Sequence, residues 1–159
     1  MTHQIKKILY ATDLSKAAPQ FFQYAVFIAN QHNAHITSLH VMEEPSQDAI
    51  LALASYLGKD KSQVMAQKGK GAIEEMEARV KRICFSTPGE NTIDPARLTI
   101  KVVKGYPEAE ILKASKNIEA DLIIMGAHEK GFTHTFLGSV AKRVLRRSRI
   151  PVLIVPVGR

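Results

Sequence analysis

The sequence predicts an α/β protein: an open, five-stranded parallel sheet with helices on both faces and the last strand at an edge. Three observations predict it. Short apolar runs alternate with longer segments of helical period along the whole chain, the signature of repeated strand–helix–strand units. The run Leu122-Ile123-Ile124-Met125 is apolar at every position, as in a strand buried on both faces. That run stops at Gly126; a glycine-bearing loop follows, and Gly138-Ser139-Val140 opens a basic helix. Such a passage presents backbone N–H groups to an anion.

The elements follow in order. Ile5–Thr12 reads as the first strand, and Asp13-Leu14-Ser15 offers turn and N-cap chemistry before a helix over Ala17–His32. Phe21, Phe22, Ala25, Val26, Ile28 and Ala29 form that helix's apolar stripe, and Asn33, tolerant of the left-handed conformation, ends it. His35–Met42 is the second strand. Between Glu43 and Lys61 the pattern is weak, with a short helix over Ala49–Leu57 closed by Gly58. Ser62–Phe85 has the period of a long helix, weakened in its first turns by Gly69 and Gly71, each by about 1 kcal/mol relative to alanine. Ser86–Asn91 is a loop and Leu98–Val103 the third strand. Gly105-Tyr106-Pro107 turns into a helix with Pro107 near its first position and Glu108 and Glu110 in its first turn. Asp121–Met125 is the fourth strand, Thr135–Arg147 the last helix and Ile150–Val157 the last strand. Pro151 and Pro156 bracket that strand, which suits an edge. An edge so apolar calls for a cover, and a second copy pairing through Val152–Val155 supplies one.

Composition narrows the class. The 159 residues suit one domain, 1–159, with a real core; 45% are hydrophobic and 23% charged, as in ordinary globular proteins. The single cysteine, Cys84, rules out an intrachain disulfide and falls on an apolar helix stripe, so a buried thiol is expected. No apolar run approaches the roughly 20 residues of a membrane span, and the N-terminal lysines lack a signal-peptide apolar region behind them. A cytoplasmic protein with no membrane partner is expected. The net charge of +7 permits phosphate-bearing ligands. Lys142, Arg143, Arg146, Arg147 and Arg149 read as a solvated helix face that complements the helix dipole, with no interleaved aromatics, so nucleic acid is not expected as a partner.

In open parallel sheets ligands sit beyond the carboxyl ends of the strands, where strand order reverses. That rule selects Ala11, Thr12 and Asp13 after the first strand, Val41 and Met42 after the second, and Met125, Gly126, Ala127 and His128 after the fourth. Asp13 is equally readable as a cap for the following helix, and His128 as a solvated loop histidine. His40 reads as structural. His32, His35 and His134 have no metal spacing, so no metal site is expected, and Ser139 has no triad signature, so no catalytic residue is assigned.

Four separated stretches resemble the universal stress proteins. Lys7-Ile8-Leu9-Tyr10-Ala11-Thr12-Asp13-Leu14-Ser15 is similar to the family's opening, and Ala120–His128, Leu137-Gly138-Ser139-Val140-Ala141 and Ser148–Val155 are similar to its close. The resemblance implies a Rossmann-like fold of the adenine nucleotide α-hydrolase type. It implies that Asp13 and the backbone at Val41 hold adenine and ribose, that Met125, Gly126 and His128 line ribose and the near phosphates, and that Gly138, Ser139 and Val140 meet the outer phosphates. The nucleotide-binding branch carries Gly-x2-Gly-x9-Gly-Ser/Thr. Here Gly126 and Gly138-Ser139 match it, Glu129 stands at the second glycine, the span is one residue short, and Gly131 restores some loop freedom. Ala141 replaces a position that often bears a hydroxyl. Glu129 could point to solvent, pair with Lys130 or help hold Mg²⁺.

The expected function is therefore an ATP- or AMP-binding stress-response regulator, with or without Mg²⁺, acting as a homodimer on an unknown protein partner. Turnover is expected to be absent or no more than slow ATP hydrolysis, since no general base or arginine finger is evident. The alternative is an interaction module of the same fold that has lost the nucleotide.

Overall fold

The computed structural model describes residues 3–43, 47–60, 71–86, 91–129 and 135–157. In chain order it contains β1 (Lys7–Thr12), α1 (Ala18–His32), β2 (His35–Met42), α2 (Gln47–Leu57), α3 (Ala72–Ser86), β3 (Leu98–Lys104), α4 (Pro107–Asn117), β4 (Leu122–Gly126), β5 (His128–Glu129), β6 (Thr135–Phe136), α5 (Ser139–Arg147) and β7 (Val152–Val155). The main sheet has five strands in the order β3-β2-β1-β4-β7, every pair parallel. The chain builds outward from β1 to β3 and then returns to β4 on the other side. Strand order therefore reverses between β1 and β4, the place where a parallel sheet opens a crevice.

Alternate residues of the strands feed two cores. Ile8, Tyr10 and Ile36 pack with Phe21, Phe22, Ala25 and Val26 of α1 and Val80 and Cys84 of α3. Leu9, Ala11, Leu39, Ile123 and Met125 pack with Ile111 and Ala114 of α4 and Ala141 and Val144 of α5. Each fully buried Leu, Ile, Val or Phe contributes roughly 1.5–3 kcal/mol. The alternation of strand side chains thus places α1 and α3 on one face and α4 and α5 on the other.

Polar side chains fix the strand ends. The Asp121 carboxylate accepts the backbone N–H groups of Lys6 and Lys7 at 2.8 and 2.9 Å, fastening the start of β1 to that of β4. Arg97, in a short 3₁₀ turn over Pro95–Arg97, donates to the carbonyls of Ala34 (3.0 Å) and Ala29 (3.3 Å) and to Oδ1 of Asn30 (2.6 Å). These bonds tie the turn before β3 to the junction of α1 and β2. Nothing in the local pattern announces this clamp, because its partners lie more than sixty positions away.

Several boundaries differ from the sequence expectation. Helix α1 is not capped by Asp13 or Ser15: Ala17 is the N-cap, with no side-chain bond, and Pro19 occupies its first turn. The Asp13 carboxylate instead accepts the N–H of Ser15 at 2.9 Å, closing a turn before the helix. Asn33 ends α1 in the left-handed region, and Gly58 follows α2 with φ +65, both as expected. The long central helix does not run through Gly71, whose φ of +76 no right-handed helix accepts; α3 begins at Ala72. The last helix does not start at Thr135. Thr135–Phe136 pairs antiparallel with His128–Glu129 in a two-stranded ribbon, and α5 starts at Ser139 after a Gly138 N-cap. Two polar residues followed by apolar ones fit the start of a helix and a short strand equally well; only pairing with residues 128–129 decides.

Candidate functional site

A cleft of about 450 Å³ opens at the carboxyl ends of β1, β2 and β4. The strand tips contribute Ala11, Thr12, Asp13, Leu39, His40, Val41, Met42, Met125 and Gly126; Glu43 follows β2 at the rim. Phe21 of α1 and Met76 of α3 enter from one side, and Pro107 and Ile111 of α4 with Val140 and Ala141 of α5 from the other. The walls are mostly aliphatic, aromatic and thioether surface, and the polar groups are few, as in a site for a flat apolar ring with a polar extension.

The loop that carries Asp13 is held in an unusual shape. Leu14 is buried yet sits at φ +58, the left-handed region that β-carbon-bearing residues avoid. Thr12 Oγ1 accepts the Leu14 N–H at 3.1 Å, and Arg79 of α3 donates to the Leu14 carbonyl at 3.4 Å. His40 Nδ1 lies 2.9 Å from the Thr12 carbonyl. A carbonyl only accepts, so Nδ1 carries a proton in this bond. His40 is therefore structural, as its strand position implied, and it also lines the cleft.

Two helices begin at this cleft, and they differ. Helix α4 starts with Pro107, which has no N–H, and carries Glu108 and Glu110 in its first turn. Helix α5 starts from Gly138 in an extended conformation, with no side-chain cap and no acidic residue in its first turn. The first-turn N–H groups of a helix have no intrahelical acceptor and carry partial positive charge. An anion in the cleft is therefore drawn to α5 and repelled by α4. The Glu108 carboxylate faces Arg143 and Arg147 of α5, each at 3.8 Å, which ties the two helices together.

Of the residues singled out from sequence, Ala11, Thr12, Asp13, Val41, Met125, Gly126 and Val140 converge on the cleft. Ala127 does not: it is 2% exposed, and its N–H donates to the Val155 carbonyl at 2.8 Å. Gly138 and Ser139 lie at the start of α5 beside the lining residues but outside the lining itself. His128 pairs through its backbone with Phe136. Gly131 and Lys130 lie outside the described residues. At Glu129 the backbone is extended and paired with Thr135, so this position needs no glycine's conformational freedom.

Gly126 has a requirement of its own. A Cβ built there would fall within the Phe21 ring. Packing from α1 thus demands a glycine at the end of β4, whether or not a ligand approaches. Sequence reasoning missed Phe21, Leu39, Met76, Pro107 and Ile111 as lining residues. Phe21, Leu39, Met76 and Ile111 carried only apolar period, which reads as core, and Pro107 only a helix start; the crossing of elements brings them to one place. Among the described residues no group of three or more His, Cys, Asp or Glu side chains could hold a metal ion, and no helix is long and apolar enough to cross a membrane.

Comparison with known proteins bears on this arrangement. The model of the universal stress protein family matches residues 4–156. The universal stress protein MJ0577 of Methanocaldococcus jannaschii is 28% identical, over 98% of this chain and 97% of its own. MJ0531 of the same organism is 28% identical over 94% of this chain and 81% of its own. The solved structure of MJ0577 superposes with a TM-score of 0.65 at 26% identity, covering 98% of this chain and 99% of that one. A universal stress protein solved in complex with cAMP shares the fold, with a TM-score of 0.57 at 22% identity over 98% of this chain and 99% of that one.

Proposed function

This chain belongs to the universal stress protein family, and from that premise we propose that its cleft binds an adenine nucleotide, ATP or AMP, in a stress-response regulator that does not depend on turnover. The observation that carries the reading is the pair of helix starts. One side of the cleft is apolar, with Phe21, Met42 and Met76, and suits a base and sugar. The opposite side ends at α5, whose glycine cap and acid-free first turn suit phosphate. A fold neighbour solved with cAMP is in keeping with this reading. Asp13 and the backbone at Val41 take the nucleoside, and Gly138, Ser139 and Val140 take the phosphates. If Mg²⁺ accompanies the nucleotide, it is held mainly by phosphate oxygens. Isothermal titration with ATP and AMP at near-physiological salt tests the proposal: saturable heat at micromolar to millimolar nucleotide is expected, and silence at millimolar concentrations refutes it.

A second reading, an interaction module without nucleotide, is favoured by one specific observation. Phe21 explains Gly126 with no ligand present, and Glu129 occupies the second glycine position of the motif. Under that reading Glu129→Gly creates no binding, because the loop is still one residue short. Under either reading the protein acts as a homodimer through β7. That strand pairs only with β4 among the described residues and leaves its other edge open. Sedimentation of the wild type and of Ile154→Lys tests this: the wild type sediments as a dimer and the variant as a monomer.

A further inference from the structure

The cleft carries a second chemistry, that of sulfur. The three methionines among the described residues, Met42, Met76 and Met125, all line it. Two of them share one side. Ile36, Ser38, His40 and Met42 alternate along β2 and project from the face that α1 and α3 cover. Cys84 of α3 lies next to Ser38. Met76, eight residues before Cys84, is about 12 Å back along that helix. Met42, four residues after Ser38, is about 13 Å on along the strand. Met76 lines the cleft at the carboxyl ends of the strands, so the helix runs back against β2 and Met76 comes over Met42. His40 sits one strand repeat below Met42, with Nδ1 2.9 Å from the Thr12 carbonyl. In the neutral ring that bond leaves the lone pair on Nε2. A ring N–H held by a backbone carbonyl is also the usual support of a histidine that ligates a metal. Charge favours a cation here: in a chain of net charge +7 the described lining holds the carboxylates of Asp13 and Glu43 and no lysine or arginine.

The described residues hold no cluster of three His, Cys, Asp or Glu side chains, but thioether sulfur is a ligand outside that set. Two thioethers and one imidazole are neutral donors, and the sulfurs are soft. Such a set suits Cu(I) and does not suit Mg²⁺ or Ca²⁺, which take oxygen ligands. Neutral donors also offset little of the hydration that a dication loses on burial, a cost that rises with the square of the charge. We propose that Nε2 of His40 and the sulfurs of Met42 and Met76 bind Cu(I) on the α1/α3 side of the cleft, with Asp13 and Glu43 drawing the cation to its mouth. The site does not rest on the nucleotide reading, and a titration without nucleotide tests it. Histidine spacing along the chain gives no sign of it, because methionines in strand and helix period read as core.

The test is an NMR titration of the full chain, carrying labelled methionine methyl groups, with Cu(I) under anaerobic conditions and with Ag(I), a soft monovalent ion that needs no protection from oxidation. Wild type and Cys84→Ala are titrated side by side, so that the thiol is not mistaken for the site. The methyl resonances of Met42 and Met76 and the Nε2 resonance of His40 should move together and saturate at one ion per chain, in Cys84→Ala as in wild type. Met42→Leu and Met76→Leu, volume-conserving changes that a core tolerates, should each weaken binding about tenfold or more. Zn(II) should bind at least about tenfold more weakly than Cu(I). Still methyl resonances at excess Cu(I) and Ag(I) overturn the proposal. So do shifts that vanish in Cys84→Ala, unchanged affinity in a folded Met42→Leu or Met76→Leu, and Zn(II) binding as tightly as Cu(I).

Discussion

The two faces of the central sheet are packed by different chemistry. On the α1/α3 face large rings interlock: Tyr10 and Phe22 lie 5.7 Å apart and tilted, Phe21 presses on the end of β4, and Cys84 of α3 is buried against the sheet. On the α4/α5 face the contacts are aliphatic and small, with Ile111, Ala114, Ala141 and Val144. The bulky face is closed at its carboxyl end by Phe21. The slim face lets the starts of two helices reach the strand tips, and only one of these, α5, is suited to an anion. The difference teaches that a single short motif serves both faces. Gly126 answers to the packing face, and Gly138 and Val140 to the presenting face.

Four substitutions or titrations break or sharpen that contrast. The largest effect is expected at Gly126→Ala, which forces Phe21 out of place. A loss of roughly 3 kcal/mol in chemical denaturation, the upper end for overpacking, should be recovered in good part by Phe21→Leu in the same chain. A loss under about 0.5 kcal/mol would place the glycine on the ligand side of the argument instead. Next comes alkaline pH. Burial pushes the Cys84 thiol up from 9.0 to about 11, with the Ser38 hydroxyl opposing part of that shift. The unfolded thiol ionises first, so this contribution is whole below pH 9 and is lost as pH rises from about 9 to about 11. Its size is roughly 2–3 kcal/mol. Denaturation midpoints from pH 8 to 11 measure it, and Cys84→Ala should flatten the slope in that window.

Arg97→Ala tests the clamp at the end of α1. Loss of its bonds to Ala29, Ala34 and Asn30 should cost about 1–2 kcal/mol and speed hydrogen exchange at the last turn of α1, with nucleotide affinity little changed. The smallest stability effect, and the sharpest contrast, is expected from Ser139→Asp. An acid at the first position of α5 should stabilise the helix by about 0.3–1 kcal/mol. The same charge should weaken nucleotide binding about tenfold under the proposed function. Thermal unfolding and titration calorimetry on one sample give both signs, and a rise or no change in affinity would move the phosphates away from α5.

Much of this was legible in the chain. The five strands of the main sheet, the parallel topology and the crevice residues of β1, β2 and β4 follow from apolar period and from the rule for strand tips. The helix end at Asn33 and the buried Cys84 were equally readable. What escaped was long-range. Arg97 gives no local sign of bonding to the junction after a helix that ended far upstream. The ribbon at 128–129 and 135–136 exists because two short segments find each other, and neither is a strand alone. Phe21 read as one more core ring.

The sequence by itself determined which segments become the strands of the main sheet and the bodies of its helices, because side-chain period and turn chemistry act over a few residues. It also pointed to the family, through four short stretches in order along the chain. Only the tertiary structure decided why Gly126 is glycine, which helix start faces the cleft free of acids, and that His40, Met42 and Met76 line one cleft. Those are contacts between elements remote in the chain, and their energies exist only once strand order and register have set the distances.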